Sequence, residues 1–507
     1  MTDFSALLDE LALNDDERPF PTGSLPPITA LLPELRRRLM GQPLDPSLPV
    51  QRVGWIFRAA DPQWLLGPVD EPTRLEAAYV SVVSALIGRA SLPPCDTTNA
   101  GPPALRHYAD VPAVAAALQA LLAKLQAVGP DSRARAVTLA VAPHVCVFAA
   151  MHMQERSWTS RASREASRGL ESQLLAAGGW RDSAHMLTGG GPDAEAGILG
   201  AVLDVLQPAL SREARQQCDE IDEVDSVFAW TLFQVQRPFL ASLLPRLLGP
   251  ALLLSDHHDA NKCMLGIRCL HHIVSNTAAS ELRALNRADV MYDALFKHLH
   301  GSNADIMRLV LSCLLDLLAV LESAPSAAVP PAGSVANRRT ACRHDDVLRL
   351  LLTRMEAEHK VALRRVYAQA LPTYLQRMGV CACRHFGRLS RVLPAYLEVS
   401  DAPEELTRLD TLEALQQLFT AAWPRLAGSV DVWLPCLLRL LVDASSEPSL
   451  RHDVGRQLSR RAARCLALLD AAAHGHLQCA LEQVDASCCA PEVASCLATV
   501  ITAREKS

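Results

Sequence analysis

The sequence predicts an all-α fold, a HEAT/armadillo-like α-solenoid of stacked antiparallel helix pairs. Three observations carry that expectation. Apolar residues recur at helical spacing along almost the whole chain, and strand alternation is nearly absent. Ala and Leu dominate while aromatics make up only 5%, a balance suited to thin helix–helix layers, because β-rich folds lean on β-branched and aromatic residues. Paired helices with their turns also fit the roughly 40–47-residue spacing of HEAT and armadillo arrays, without a crisp repeat. One such pair cannot cover its own apolar face, so pairs must stack.

The N-terminal region 1–70 is expected to be irregular and helical, punctuated by the Pro-rich stretches 19–27 and 42–53. The array then runs from 71 to 321. Helices are predicted over 71–90, 111–128, 159–177, 225–248, 259–276 and 279–300, many stopped by Gly, Pro or Asn. The segment 91–104 reads as a loop. Between its terminal Asp305 and Glu322, the helix over 305–322 has its polar residues at Arg308, Ser312 and Asp316, a stripe so narrow that most of its circumference must be covered. Ser302 with Asp305 offers a capping box at its start. The stretch 322–341 contains SAPSAAVPPAGSVANRRT and reads as a flexible linker. The C-terminal part of the array, 342–507, carries predicted helices at 345–355, 358–378, 380–399, 404–423, 430–443 and 450–473.

Composition excludes several classes. The formal charge is −6 over 507 residues, so no strong positive field exists to hold nucleic acid or an anionic membrane. Lys occurs only at Lys124, Lys262, Lys297, Lys360 and Lys506, so nearly all basic residues are Arg; they are spread along the chain, as a GC-rich coding sequence would leave them. No apolar run reaches the roughly 18 residues of a membrane span. The best candidate, 139–153, is shorter and carries Pro143, His144 and His152. Fifteen cysteines, many at apolar helical positions, and an acidic start without a basic n-region point to a reducing compartment, cytosol or nucleus.

No motif carries catalysis. Gly189-Gly-Gly191-Pro192 lacks the following GK[ST] of a phosphate loop. Cys381-Ala-Cys383-Arg-His385 suggests metal, yet C-x-C inside a predicted helix points its sulfurs to different faces. Asp256-His257-His258-Asp259 with Cys263, and the pair His271-His272, read as helix residues whose adjacent imidazoles diverge. In Cys342-Arg-His344-Asp345-Asp346, one of the two Asp reads as a helix N-cap. The acidic run Asp219 to Asp225 suits the N-terminus of the following helix and a solvated face. No cofactor and no metal are expected, and the chain is expected not to be an enzyme.

Two consecutive helices carry Val227-Phe-Ala-Trp230-Thr-Leu-Phe-Gln234-Val-Gln-Arg237-Pro238-Phe-Leu240 and Lys262-Cys-Met-Leu-Gly266-Ile-Arg-Cys-Leu-His-His272-Ile-Val274. Further blocks follow in order: His144 to Phe148 with Trp158-Thr159 and Ser163 to Glu165 precede them, and Asp346 to Leu350 leads through Met355 to His359 into Leu363-Arg364-Arg365, Tyr367 and Leu371-Pro372. The last block is Tyr396 to Glu398, Asp401, Pro403 to Glu405 and Thr420-Ala-Ala-Trp423-Pro-Arg425. Together, over roughly 130–475, these resemble the Tti-two (second Tel-two-interacting protein) family, a subunit of the triple-T co-chaperone complex.

The resemblance implies a non-catalytic scaffold that supports maturation and stability of phosphatidylinositol kinase-related kinases. Its implied partners are Tti-one-like and Tel-two-like helical-repeat subunits and, indirectly, client kinases and the heat-shock chaperone with its RuvB-like ATPases. Neither nucleic acid nor membrane is among them. Trp230, Gln234, Arg237, Pro238, Lys262, His272, Arg364, Arg365, Trp423 and Arg425 are the candidate partner-surface or family-motif residues, since Trp and Arg are common interface anchors. The competing reading places Trp230 in the core and lets Arg237-Pro238 kink a helix. The alternative function is an unrelated HEAT-repeat adaptor in transport or trafficking.

Overall fold

The computed structural model describes residues 26–41, 48–67, 72–90, 110–190, 197–211, 222–322, 342–446 and 450–473, with isolated positions beyond. The loop expected at 91–104 lies outside these residues, as does the expected linker apart from Glu322. Among the described residues every helix or strand element is a helix. The chain forms two compact units, Met1–Pro250 and Ala251–Ser507. The expected array part 71–321 therefore contributes to both.

The first unit contains α1 (Ile28–Met40), α2 (Leu48–Ala59), α3 (Pro62–Leu66), α4 (Pro72–Ala90), α5 (Val111–Ala127), α6 (Ser132–His152), α7 (Arg161–Gly178), α8 (Ser183–Thr188), α9 (Leu199–Leu210) and α10 (Asp222–Gln234). One layer runs α1, α4, α6, then α9 and α10; the other runs α2, α5, α7. Consecutive helices pair across the two layers: α1 with α2, α4 with α5, α6 with α7. This is the two-layer grammar of HEAT pairs, in which each apolar face is covered by the next pair.

Helix α6 sits at the middle of that stack, and helices touch it from both layers. It is longer than the apolar run seen in the sequence, because the helix begins at Ser132 with Arg133 and Arg135 in its first turn. By length and composition alone it would suffice to cross a membrane, and 67% of its apolar window is buried inside the unit. A helix covered on most sides needs no polar face, so core burial accounts for the composition.

The second unit contains α12 (Ala260–Asn276), α13 (Ala279–Arg283), α14 (Arg287–Phe296), α15 (Ala304–Leu321), α16 (Arg343–Ala357), α17 (Val361–Met378), α18 (Phe386–Glu398), α19 (Leu406–Ala421), α20 (Trp423–Leu426), α21 (Val430–Ser446) and α22 (His452–Ala472); α11 (Leu244–Ser255) spans the unit boundary. Again two layers form, α15–α17–α19–α22 and α16–α18–α21, with α16/α17, α18/α19 and α21/α22 as pairs. The predicted stripe on α15 holds: Arg308 and Ser312 are exposed, Asp316 is half-buried, and Val310, Leu314 and Leu317 are in the core.

Several predicted helices are interrupted. The helix expected over 225–248 ends at Gln234 and resumes through a 3-10 turn, Ala241–Leu243, into α11. Pro238 has no N–H to donate to a helical ladder. The helix expected over 279–300 breaks where Leu285 and Asn286 adopt positive φ of 54° and 56°, a left-handed conformation that a helix cannot continue through. Gly379, at φ 52°, ends α17, and the 3-10 segment Gly379–His385 precedes α18. Caps also differ. Asn303, not Ser302, starts α15, and its side chain accepts from Asp305 N at 3.0 Å and Ile306 N at 3.2 Å. Cys342, not Asp345 or Asp346, is the N-cap of α16, and Asp345 closes the box three residues on.

Candidate interaction surface

The first unit gathers four of the candidate residues at the C-terminal end of α10. Asp222, Glu223 and Asp225 open this helix, where carboxylates favour the positive end of the dipole. Asp225 is buried, so it does not lie on the solvated face expected for the acidic run. Trp230, Phe233 and Gln234 stand at i, i+3 and i+4 and so share a face. Trp230 and Gln234 are half-buried, Phe233 is 37% exposed, and Arg237 and Pro238 are exposed. Trp230 is therefore not a core residue. Nor does Arg237-Pro238 kink a helix: it follows the helix end and is joined by a cis peptide bond. Buried Val235 and Leu240 hold the turn against the unit on either side.

In the second unit, Lys262 and His272 lie on α12. Asp259 caps that helix, accepting from Asn261 N at 2.9 Å and Lys262 N at 3.0 Å; the bond from Lys262 N is the chief cause that lowers its carboxyl pKa. His272 is half-buried, and its carbonyl accepts from Asn276 Nδ2 at 3.1 Å. Its neighbour His271 meets Asp316 of α15 through Nε2 at 2.8 Å. A Cβ on Gly266 would stand 2.1 Å from the Ser255 amide nitrogen, so this position admits only glycine at the existing approach.

Arg364 and Arg365 turn out to be internal fasteners. The Arg364 guanidinium lies 3.9 Å from the Tyr396 ring centroid, a cation–π contact, and donates to the Ala395 carbonyl at 3.3 Å. Arg365 donates through Nε to Asp401 Oδ2 at 2.7 Å and through Nη2 to the Asp401 carbonyl at 3.0 Å and Glu404 at 3.3 Å. Asp401 Oδ2 also accepts from Thr407 Oγ1 at 2.8 Å. Beside it, Glu405 is wholly buried at a positive φ of 52° and accepts from the Ser400 hydroxyl. Arg408 is buried 3.5 Å from the Glu405 carboxylate and donates to the Leu397 carbonyl at 2.8 Å. A knot of buried charges thus joins the end of α18 to the start of α19.

Trp423 is 58% exposed, and Pro424 and Arg425 are exposed beside it. Buried Ala422 and Leu426 pin this short helix from both sides. Burial pushes the Cys383 thiol up, partly offset by the positive charge of Arg425. Each unit therefore presents an aromatic–Arg–Pro patch, Trp230/Phe233/Arg237/Pro238 in one and Trp423/Pro424/Arg425 in the other. Such side chains suit protein recognition, because they offer large contact area and a planar donor fork at little entropic expense.

His257, His258, Cys263 and His385 make other contacts. His257 stacks on His258 with centroids 4.3 Å apart and accepts from Asp259 N at 3.0 Å. Cys263 donates to the Ser255 carbonyl at 3.2 Å. His385 contacts Asp345 Oδ1 at 2.8 Å. Sequence reasoning missed the knot residues Glu405, Thr407 and Arg408. One signal was available: Arg408 stands in register with Leu412, Leu415 and Phe419, a charge on an apolar face. It also missed that Glu322 meets Cys342 and His344.

Comparison with known proteins supplies the family. No family model matches the chain. A human protein named TELO2-interacting protein 2 is 40% identical over 345 residues, 68% of this chain and 66% of its own length. The mouse protein of that name is 38% identical over 357 residues, 70% of this chain and 68% of its own. The chain belongs to the TELO2-interacting protein 2 family. The matched region spans about two thirds of the length of these relatives. Among solved structures, Kap121p aligns at 13% identity with a TM-score of 0.43, over 97% of this chain and 46% of Kap121p, a likeness too distant to build on. Membership in the TELO2-interacting protein 2 family agrees with the motif blocks around Trp230, His272, Arg365 and Trp423.

Proposed function

We propose that this chain is a non-catalytic scaffold subunit of a triple-T assembly, acting in the cytosol or nucleus. It binds Tti-one-like and Tel-two-like helical-repeat subunits. Through them it supports the maturation and stability of phosphatidylinositol kinase-related kinases alongside the heat-shock chaperone and its RuvB-like ATPases, which supply the ATP chemistry. The observation that carries this reading is the 40% identity over 345 residues to a relative named for its interaction with TELO2. The surface patches around half-buried Trp230 and exposed Trp423 give it a physical means, because desolvating a Trp beside an Arg is a common way to anchor an interface.

Co-expression with the other two triple-T subunits, followed by size-exclusion chromatography and cross-linking, tests it. Stable co-elution with cross-links to either patch is expected. A chain that stays monodisperse and passes both partners by would overturn the reading. Affinity capture returning trafficking factors and no kinase-maturation machinery would favour a transport adaptor instead.

A further inference from the structure

We propose that Glu322, Cys342 and His344 form a binding site for one zinc-class divalent cation. A carboxylate oxygen, a thiol sulfur and an imidazole nitrogen from these residues lie within 4.8 Å of one another. His344 Nδ1 is 3.0 Å from Glu322 Oε2. Two ligands about 2.0–2.1 Å from a tetrahedral zinc stand roughly 3.3 Å apart, so this pair needs to move by only tenths of an ångström. The Cys342 sulfur lies within 4.8 Å of both and must approach by up to about an ångström to complete the triangle. A mixed sulfur, nitrogen and oxygen set selects zinc-like ions over magnesium or calcium, which take oxygen ligands.

The surroundings hold these donors in place. The Arg343 amide donates to Glu322 Oε1 at 3.0 Å and fixes that carboxylate. Asp345 Oδ2 accepts from Cys342 N at 3.1 Å and lies 3.3 Å from its sulfur. Asp345 is itself held by Arg384 at 2.7 Å and His385 at 2.8 Å, an outer shell of the kind that orients metal ligands. His344 is wholly buried, so packing restricts the movement of its ring. Arg343 pairs with Asp289 and Arg384 with Asp345, so the nearby positive charges are already matched.

Charge and proton balance are simple. The Cys342 S–H bond breaks and with it the sulfur's hydrogen bond to Asp345 Oδ2, a sulfur–metal bond forms, and the proton goes to solvent, while Arg384 and His385 continue to balance the Asp345 carboxylate. Thiolate and carboxylate together neutralise the divalent ion, and three protein ligands leave a fourth position for water. The ion would join the end of α15 to the start of α16. This departs from the expectation of no metal, which weighed Cys342 and His344 without Glu322.

The full chain, stripped with a chelator and dialysed against cobalt or zinc, tests the site by elemental analysis and absorption. One ion per chain and a thiolate-to-cobalt charge-transfer band are expected. Cys342→Ser should abolish both, Glu322→Gln should weaken binding at least about tenfold, and Cys383→Ser should change neither. Far-UV circular dichroism of the metal-free variants establishes folding, and Glu322→Gln, which keeps the side-chain shape, carries the test if Cys342→Ser unfolds. Wild-type protein without stoichiometric metal, or Cys342→Ser or a folded Glu322→Gln binding as wild type, overturns the proposal.

Discussion

The two units use the same layered grammar but fill their interiors differently. Among the described residues the first is apolar almost throughout: apart from Asp225, the buried polar ones are Thr138, His152, Ser163, Ser167, Ser226 and Thr231. The second buries Asp345, Asp401, Glu405 and Arg408 along with His344. Burying a charge is unfavourable unless it is paired and hydrogen-bonded. The second unit meets that condition with dense networks at the starts of α16 and α19. Apolar packing fills a layer, whereas a network of directed bonds also fixes the register of one helix on the next.

The largest effect should come from breaking the knot on one side. In Arg408→Ala, Glu405 keeps a fully buried carboxylate but loses its nearest cation, and the Leu397 and Glu398 carbonyls lose their donors. A loss of about 3–5 kcal/mol is expected, read as a lowered urea midpoint. Replacing Thr138, the buried hydroxyl of α6 whose only bond is to Ala134 O at 2.8 Å, with Ala should change stability by no more than about 1 kcal/mol. Equal losses from the two substitutions would erase the contrast between the units.

Acid should expose the first unit next. Burial pushes the His152 imidazole down to about 4, so the folded protein holds it neutral while the unfolded chain takes up a proton. This group's contribution is fully present above about 6.5 and is lost as pH falls toward about 4, by up to about 3 kcal/mol. Amide hydrogen exchange in α6 should accelerate over that window. His152→Met should flatten the acid dependence, and an unchanged profile would show that α6 opens for another reason.

The second unit contains the opposite case. Burial pushes the Asp410 carboxyl up to about 6, against the pull of Arg461. The folded state therefore favours the neutral acid: its contribution is present below about 4 and is lost as pH rises through about 6. Asp410→Asn should stabilise the protein by about 1 kcal/mol at pH 7.5, after allowance for solvent screening, and leave it unchanged near pH 4. Thermal midpoints at the two pH values measure the difference.

The fold class was legible because periodicity is a local property repeated many times. The stripe Arg308, Ser312, Asp316 on α15 is the clearest instance. Breaks were less legible where the cause is conformational: nothing in Ala284-Leu285-Asn286 except Asn286 announces a left-handed turn. The roles of Arg364 and Arg365 were hidden for another reason. Both lie on one helix beside solvent, and only the return of Tyr396 and Asp401 from the next pair shows that they fasten α17 to its neighbour. Trp230 showed the reverse. Its setting inside an apolar stretch suggested the core, but the helix ends four residues later and leaves it half-buried.

The smallest effect on stability should fall on Trp423, whose exposed ring bears on binding more than on folding. With 58% of its surface exposed, truncation to Ala removes little buried area, so stability should change by no more than about 0.5 kcal/mol, as for an ordinary surface substitution. Binding should respond on a different scale. A Trp that anchors an interface is worth 2 kcal/mol or more, about thirtyfold in affinity. Trp423→Ala paired with Arg425→Ala should leave the circular dichroism spectrum intact while co-elution with the triple-T subunits falls. Unchanged co-elution would assign partner binding to the α10 patch, where Arg237→Ala is the matching test. Loss of folding in Trp423→Ala would show instead that α20 holds the second unit together.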